Sequence, residues 1–529
     1  MAHIPFETAA DYFSRFSLFS LLGITLFLPL AVRVIYNLYF HPLSKFPGPW
    51  YAAVSSFPIA LISIVEREPE WLLHVTRKYG KGDLPVRIAP ALLLFPKPSA
   101  LRDIYWDPKN NTKGRLYGTG ALGAPSIFTL LSGDEHRELR KALGGAQWGF
   151  THLKTVWEPR IDDLLRLFTR RMTEFAEKGE VINLGDKVAQ FAGDVMTMVA
   201  FNEPWGFVDT STDRRRILQS FRSGMRFFGL AGRWLWLRET VLPSPLGPYL
   251  IPKAGDKEGM GWLASEADRV LTEREKMIDE MNYTQDDAPQ KDYTQYAIEA
   301  RKKSGDGDAP LSRTEKHAHL TLLIQAGADT TGTALGSTLR FLLLNPACLS
   351  KCQKEIQEAD TAGLLSAPVQ FEETRSHLRY MMACISESLR LNPPALNLFS
   401  RASPRGEGGR AGGSNINGVV VPEGVEFTSN AWVVQRDPEL YGPDPEVYRP
   451  ERWLEGDKRT AELESGMFVW GVGPRICLGK DIAVMELYKV LPEIIRRFDI
   501  ELLEAGRFRV IGGVAFNAGF MVKLFAKKV

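Results

Sequence analysis

Cysteine is scarce. The 529 residues hold four, Cys348, Cys352, Cys384 and Cys477. None forms a C-x-x-C pair, and Cys348 and Cys352 have no histidine or further cysteine nearby, which argues against a zinc site. So few cysteines in so long a chain favour a reducing compartment. Excess charge is also missing: 65 Lys and Arg stand against 63 Asp and Glu, a formal net charge of +2, so composition gives no argument for nucleic acid as a partner. Nucleotide loops are absent from the Gly-rich stretch Phe468 to Lys480. A phosphate-cradling loop would need Gly at 474 and Ser or Thr at 481, where Pro474 and Asp481 stand; a dinucleotide loop would need Gly at 476, which is Ile. What is present is 44% apolar residues in a chain long enough for one large or two ordinary globular domains.

That same stretch, F-V-W-G-V-G-P-R-I-C-L-G-K, places Cys477 among Gly471, Gly473, Pro474 and Gly479, immediately before a long apolar helical pattern, Ile482 to Ile500. The chemistry suggested is thiolate ligation of a haem iron. A thiolate stays deprotonated in a positive or dipolar setting, which a helix N-terminus and Arg475 would supply. The glycines let the backbone lie against a flat macrocycle and turn N–H groups toward the sulfur. An inert buried cysteine would leave the Gly-x-Gly-Pro-Arg run without a purpose.

This run resembles the cysteine loop of cytochrome P450, G-x-R-x-C-x-G, matched by Gly473, Arg475, Cys477 and Gly479. Trp470 stands where the family usually has Phe, which adds an indole N–H donor near the sulfur. The resemblance implies a mainly α fold with smaller β-sheets and haem b as cofactor, its iron held by Cys477.

Other segments carry the resemblance in order. Phe16 to Val32 is uncharged and, at the short end of spanning length (roughly 17–25 residues), reads as a single N-terminal transmembrane helix. The flanking charges put the bulk of the protein on the cytosolic side. The expected organisation is an anchor over 1–36, a proline-rich hinge over 37–49 and a haem-thiolate domain over 50–529. Val86 to Ile88 and Leu92 to Phe95 read as a hairpin. Arg115 to Leu131 is a Gly/Pro-rich loop that the resemblance places over the substrate, with Leu122, Ile127 and Phe128 as contacts. His136 and Arg140 share a helical face; on their own they could be a solvated charged face, and by resemblance they pair with the haem propionates. Arg137 and Lys141 would then face outward, as a basic spot for an acidic electron donor.

Trp157 to Phe201 has a helical period, and Asp213 to Trp236 reads as an aromatic helix pair that resemblance makes a lid. Tyr283 to Tyr296 and Lys302 to Pro310 are polar and Gly/Asp-rich, which predicts surface loops. A long helix, Ser312 to Leu344, is expected to be interrupted at Gln325 to Gly332, where glycines and threonines conflict with helical propensity. Thr hydroxyls there can bond the carbonyl four residues back and open the helix. Ala326-Gly-Ala-Asp-Thr-Thr matches the family's A-G-x-D-T-T. It implies that Thr330 bonds the activated oxygen, that Asp329 relays protons, and that Ala326 faces the pocket.

Glu387-x-x-Arg390 matches the family's E-x-x-R, with Arg452 as third member of a buried charge triad. In the extended run from Pro394, Arg401 resembles a second propionate arginine, and Leu396, Leu398 and Phe399 would line the pocket. Ala402 to Gly418 is a Gly-rich loop. Gln435 replaces the family's usual His. The turn Gly512 to Gly519 is expected to send its tip, with Phe516, into the pocket.

The resemblance implies a membrane-anchored monooxygenase of the endoplasmic reticulum that activates O2 and oxidises a lipophilic small molecule, of the kind found in fungal secondary metabolism. The Tyr-Asn-Leu-Tyr-Phe-His-Pro-Leu lead-in looks like filamentous-fungal members, and the run around Cys477 like pisatin-demethylase-like ones. Electrons would come from NADPH through a separate NADPH-cytochrome P450 reductase, with cytochrome b5 as a further donor, since no flavin or nicotinamide motif is present. The other readings are a haem-thiolate isomerase or dehydratase, which has no need of Asp329 and Thr330, and a haem-binding protein without turnover.

Overall fold

The computed structural model describes residues 9–281, 291–304, 307–406 and 412–527. Twelve of the helices among the described residues frame it. α1 (Ala9–Ile35) leads through a π-turn, Tyr36–Phe40, into the chain at His41. Among the described residues it belongs to the one segment, Leu22–Phe40, long and apolar enough to cross a membrane by length and composition. The Pro-rich segment that follows is seated on the body: Leu43 and Phe46 are buried, and Arg87 donates its N–H to the Pro47 carbonyl at 2.7 Å.

The other helices are α2 (Glu68–Tyr79), α3 (Gly133–Leu143), α4 (Glu158–Lys178), α5 (Leu184–Phe201), α6 (Ile217–Arg233), α7 (Gly259–Met281), α8 (Tyr293–Glu299), α9 (Arg313–Leu344), α10 (Pro346–Thr361), α11 (Arg379–Leu391) and α12 (Lys480–Arg497). One sheet joins β1 (Val86–Ala89), β2 (Leu92–Leu94), β4 (Arg401–Ala402) and β5 (Glu426–Thr428) in the order β1-β2-β5-β4, with β2 parallel to β5. A second joins β3 (Val181–Asn183), β6 (Phe498–Glu504) and β9 (Met521–Ala526), with β9 central. β7 (Arg507–Ile511) and β8 (Val514–Ala518) form a hairpin.

α9 is the spine. Its start is set by a capping box between Ser312 and Glu315. The predicted interruption is not there: α9 runs unbroken through Gln325 to Gly332. Its glycines serve close packing instead. A Cβ at Gly327 would overlap Met196, and one at Gly332 would overlap Ala189, so both let α5 press against the middle of α9.

Five further expectations are sharpened or corrected. The 157–201 pattern is two helices, because Gly179 turns into the left-handed region (φ 65°) and β3 follows. The helix after Cys477 ends at Arg497, where β6 pairs with β9. Tyr283 to Tyr296 is not simply a surface loop: 283–290 lie outside the described residues, but Asp292 caps α8 and Tyr293 is buried, stacked on Trp148 with ring centroids 3.8 Å apart. Lys302 to Pro310 falls in an exposed hairpin of Arg301–Ser304 with Gly307–Pro310. Of the loop at 402–418, residues 407–411 lie outside the described residues, and Ser414–Ile416 pairs with Val419–Val421.

Candidate active site

The cysteine loop is shaped by its glycines. Gly471 and Gly473 have φ of 70° and 78°, and a Cβ at Gly473 would overlap the Tyr105 carbonyl. Cys477 donates its N–H to the Trp470 carbonyl at 2.8 Å, and Phe468 donates its own to Gln435 Oε1 at 2.7 Å. Gln435 Nε2 in turn donates to the Leu389 and Arg390 carbonyls, at 3.1 and 2.8 Å. The residue replacing histidine therefore ties the end of α11 to the cysteine loop. Below it, Glu387 receives Arg390 Nε at 2.8 Å, Arg452 Nε at 3.0 Å and Trp453 Nε1 at 2.9 Å, all of them buried.

The Cys477 side chain lies deep in the fold but opens into a cavity of about 330 Å³. Burial pushes its thiol up, opposed by the Gly479 N–H and by the charges of Arg140 and Lys480. Arg475, expected to polarise the sulfur, is directed elsewhere. It donates to Asn111 Oδ1 (3.0 Å) and to the carbonyls of Leu130 (3.1 Å), Leu131 (3.3 Å) and Ser132 (3.1 Å).

Five basic residues cluster on the cavity wall: Lys113, His136, Arg140, Arg401 and Arg475. Among the described residues none has a carboxylate within ion-pair distance, and Arg401 Nε has no partner. Their ionisation shows the strain of that crowding. Burial first, then Arg401, takes Arg475 down to about 9; burial first, then Arg475 and Lys113, takes His136 down to about 3. Burial also drives Lys113 well down, with its ammonium over the rings of Tyr117 and Phe128 at 4.0 and 4.4 Å. Basic groups buried without a carboxylate partner and facing a cavity form a binding site for carboxylates, whose charge would restore the ionisation that burial and crowding suppress on His136 and Lys113.

Above the sulfur, α9 contributes Ala326, Gly327 and Thr330 to the wall, with Ile127, Phe128 and Phe399 from loops. Thr330 Oγ1 donates to the Ala326 carbonyl at 2.7 Å without breaking the helix. Trp470 and Gly479 also line the cavity.

Other expected site residues lie elsewhere. Gly473 sits behind the loop against Tyr105. Leu396 and Leu398 are buried in core clusters, because side chains alternate along the extended 394–400 segment and Ala395 and Phe399 take the cavity side. Leu122 is buried with its carbonyl bonded by Gln325. The 512–513 tip is wedged between α6 and Asn397, and Phe516 lies under the guanidinium of Arg222 at 4.8 Å. Asp329 is held by Arg222, off the cavity wall.

Sequence reasoning missed Lys113 and the two unpaired polar groups on the wall, His319 and Glu486. Burial alone lowers His319 to about 4 and pushes the Glu486 carboxyl well up. A lone Lys in a polar run, or one His on an apolar helix, carries no signal in sequence.

The family model for cytochrome P450 matches residues 107–512, which span the cavity, the triad and the cysteine loop. The chain belongs to the cytochrome P450 family. Among curated relatives of this P450, cytochrome P450 monooxygenase cicH of Emericella nidulans is 29% identical over 476 residues, 87% of this chain and 89% of its own length. Cytochrome P450 monooxygenase mfmA of Annulohypoxylon moriforme is 27% identical over 509 residues, 94% of each. Quiannulatic acid synthase of Emericella variicolor is 26% identical over 469 residues, 87% of this chain and 88% of its own length. By family and relatives the protein is an oxidoreductase, a cytochrome P450 monooxygenase. The family implies a thiolate-ligated haem, and the residues present fit one: a cysteine sulfur open to the cavity and unpaired cations for two propionates.

Proposed function

We propose that this P450 is anchored in the endoplasmic reticulum membrane by the 1–36 segment, with 50–529 in the cytosol, and oxidises a lipophilic fungal secondary metabolite. The observation that carries the reading is the joint placement of Cys477 and the carboxylate-free basic cluster on one cavity with an apolar wall. Cys477 would ligate the iron, and Lys113, His136, Arg140 and Arg401 would hold the propionates, with Arg475 adding its charge beside them while it grips Asn111 and the 130–132 carbonyls. When bound, the haem supplies a thiolate-ligated iron that activates dioxygen with sufficient oxidising power to attack C–H bonds.

The chain's own residues do the rest. Ile127, Phe128 and Phe399 exclude water and orient an apolar substrate. The Thr330 hydroxyl holds a proton at Oγ1 beside the reacting position. Asp329 is committed to Arg222, so it delivers protons toward Thr330 only when that pair opens. Electrons come from NADPH through a separate reductase. Arg137 and Lys141 are exposed on α3 and would face it, although Arg137 already pairs with Asp134 within its own turn. Support for the substrate class comes from the apolar wall and from the relative whose name makes it a synthase of an organic acid.

The test is the carbon monoxide difference spectrum of the reduced protein, wild type beside Cys477→His. A strongly red-shifted Soret band in the wild type alone is expected. The same band in both proteins, or none in the wild type, overturns the reading.

A further inference from the structure

Four easily oxidised rings line the cavity: Tyr105, Trp148, Tyr293 and Trp470. Tyrosine and tryptophan give up an electron far more readily than phenylalanine, so each can reduce an oxidant formed there. What separates them is where each ring leads. Tyr105 stacks on Phe468 (centroids 4.8 Å), which meets Phe399 at 5.6 Å, and no further Tyr or Trp follows. The Arg401 guanidinium over Tyr105, at 4.7 Å, also opposes loss of an electron. Among the described residues Trp470 has no ring partner.

Trp148 leads outward. Its indole stacks on Tyr293 with centroids 3.8 Å apart and planes 23° from parallel. Tyr293 meets Tyr296, one turn on along α8, at 6.4 Å. Trp148 and Tyr293 are buried at the cavity, and Tyr296 is half-buried at the surface. The protons follow the same order. Trp148 donates its N–H to the Leu143 carbonyl at 2.9 Å, and Tyr293 its hydroxyl to the Gln147 carbonyl at 3.0 Å. A carbonyl is no base, and burial pushes the Tyr293 phenol further up. Neither inner ring can discard a proton, so a positive charge on the stacked pair is only in transit. Tyr296 can pass its phenolic proton to water, and the charge comes to rest there as a neutral tyrosyl radical.

We propose that Trp148, Tyr293 and Tyr296 conduct electrons from the surface to the cavity, and that the protein thereby has a second activity, reduction of hydrogen peroxide by small one-electron donors that meet Tyr296. With ascorbate as donor the step balances. The peroxide O–O bond breaks, and two electrons and two protons convert it to two waters. Two ascorbate anions each lose one electron and one proton, and Tyr296 is oxidised and restored twice. In the absence of organic substrate this route drains oxidising equivalents before they attack the cavity wall. The inference rests on the proposed reading that this cavity holds haem.

The experiment uses the haem-loaded full chain: wild type, Tyr296→Phe and Tyr296→Trp. Each is mixed with hydrogen peroxide without organic substrate, freeze-quenched and read by electron paramagnetic resonance. Ascorbate oxidation and bleaching of the Soret band are followed in parallel. The wild type is expected to give a radical whose signal narrows when the protein carries ring-deuterated tyrosine. Tyr296→Phe loses that signal together with ascorbate oxidation, and its Soret band bleaches faster. Tyr296→Trp regains ascorbate oxidation, with a signal indifferent to tyrosine deuteration. A mere packing role at 296 would be served by Phe and would not give this pattern. Trp148→Phe breaks the inner link and is expected to repeat the loss. Equal signal and equal ascorbate oxidation in wild type and Tyr296→Phe overturn the path. So does a wild type with the red-shifted carbon monoxide band but no radical. Absence of any Soret band in the wild type overturns the haem reading, and this inference with it.

Discussion

Arg222 on α6 grips Asp329 on α9 with two nitrogens, Nη2 at 2.7 Å and Nε at 3.0 Å, and reaches Asp186 at the start of α5 at 3.2 Å. The carboxylate of the A-G-x-D-T-T segment is therefore a cross-link between helices, not an open acid. Burial pushes the Asp329 carboxyl up, and the Arg222 charge opposes the push.

Removing Arg222 leaves that buried charge unpaired. Arg222→Ala is expected to lower unfolding stability by about 3 kcal/mol at pH 8, the lower end of what breaking a buried pair costs, since Arg222 is partly exposed. The loss should be smaller at pH 5.5. Without the arginine the folded-state pKa of Asp329 rises further above its unfolded value. Between those two values the folded variant binds more protons than the unfolded chain, so stability falls as pH rises. Urea denaturation at both pH values checks the sign; a deficit equal at the two would mean that Asp329 does not titrate with the pair.

Glu387→Ala strands two buried guanidiniums, Arg390 and Arg452, together with the Trp453 N–H. A cost of about 3–5 kcal/mol follows. Little haem-containing protein should accumulate, read as the ratio of Soret to protein absorbance after purification. A normal ratio would show that the triad is dispensable.

Gln435→Leu removes the tie between α11 and the cysteine loop. Two carbonyls and the Phe468 N–H lose their partner in a fully buried place. The expected loss is about 2–3 kcal/mol, with faster transfer of haem to excess apomyoglobin. Transfer at the wild-type rate would confine Gln435 to the stability of α11.

Residues that act through backbone geometry were legible in the sequence. Gly473 and Cys477 announce a loop by their spacing, whereas the set of Glu387, Arg390 and Arg452 was legible only through the family resemblance, since Glu387 and Arg390 alone read as an exposed i, i+3 pair. The misreadings have local causes. Asp292 to Gln295 is polar in composition, yet Asp292 caps a helix and Tyr293 stacks on Trp148, a partner 145 residues away that no window contains. Leu396, Leu398 and Phe399 cannot share one face of an extended chain, and alternation alone would have separated them. Arg475 was assigned by its distance along the chain from Cys477, whereas its guanidinium answers to Asn111 and the carbonyls before α3. Lys113 gave no pattern at all, since its role comes from what surrounds it.

The glycine contacts between α5 and α9 bear on how such an enzyme diversifies. With Met196 and Ala189 pressed against Gly327 and Gly332, the segment that carries Thr330 has no room to drift. Ile127, Phe128 and Phe399 reach the cavity from loops instead. New substrates are accommodated by redrawing those margins while the oxygen-handling helix stays where it is, so one chemistry can be inherited intact by enzymes with unrelated tastes.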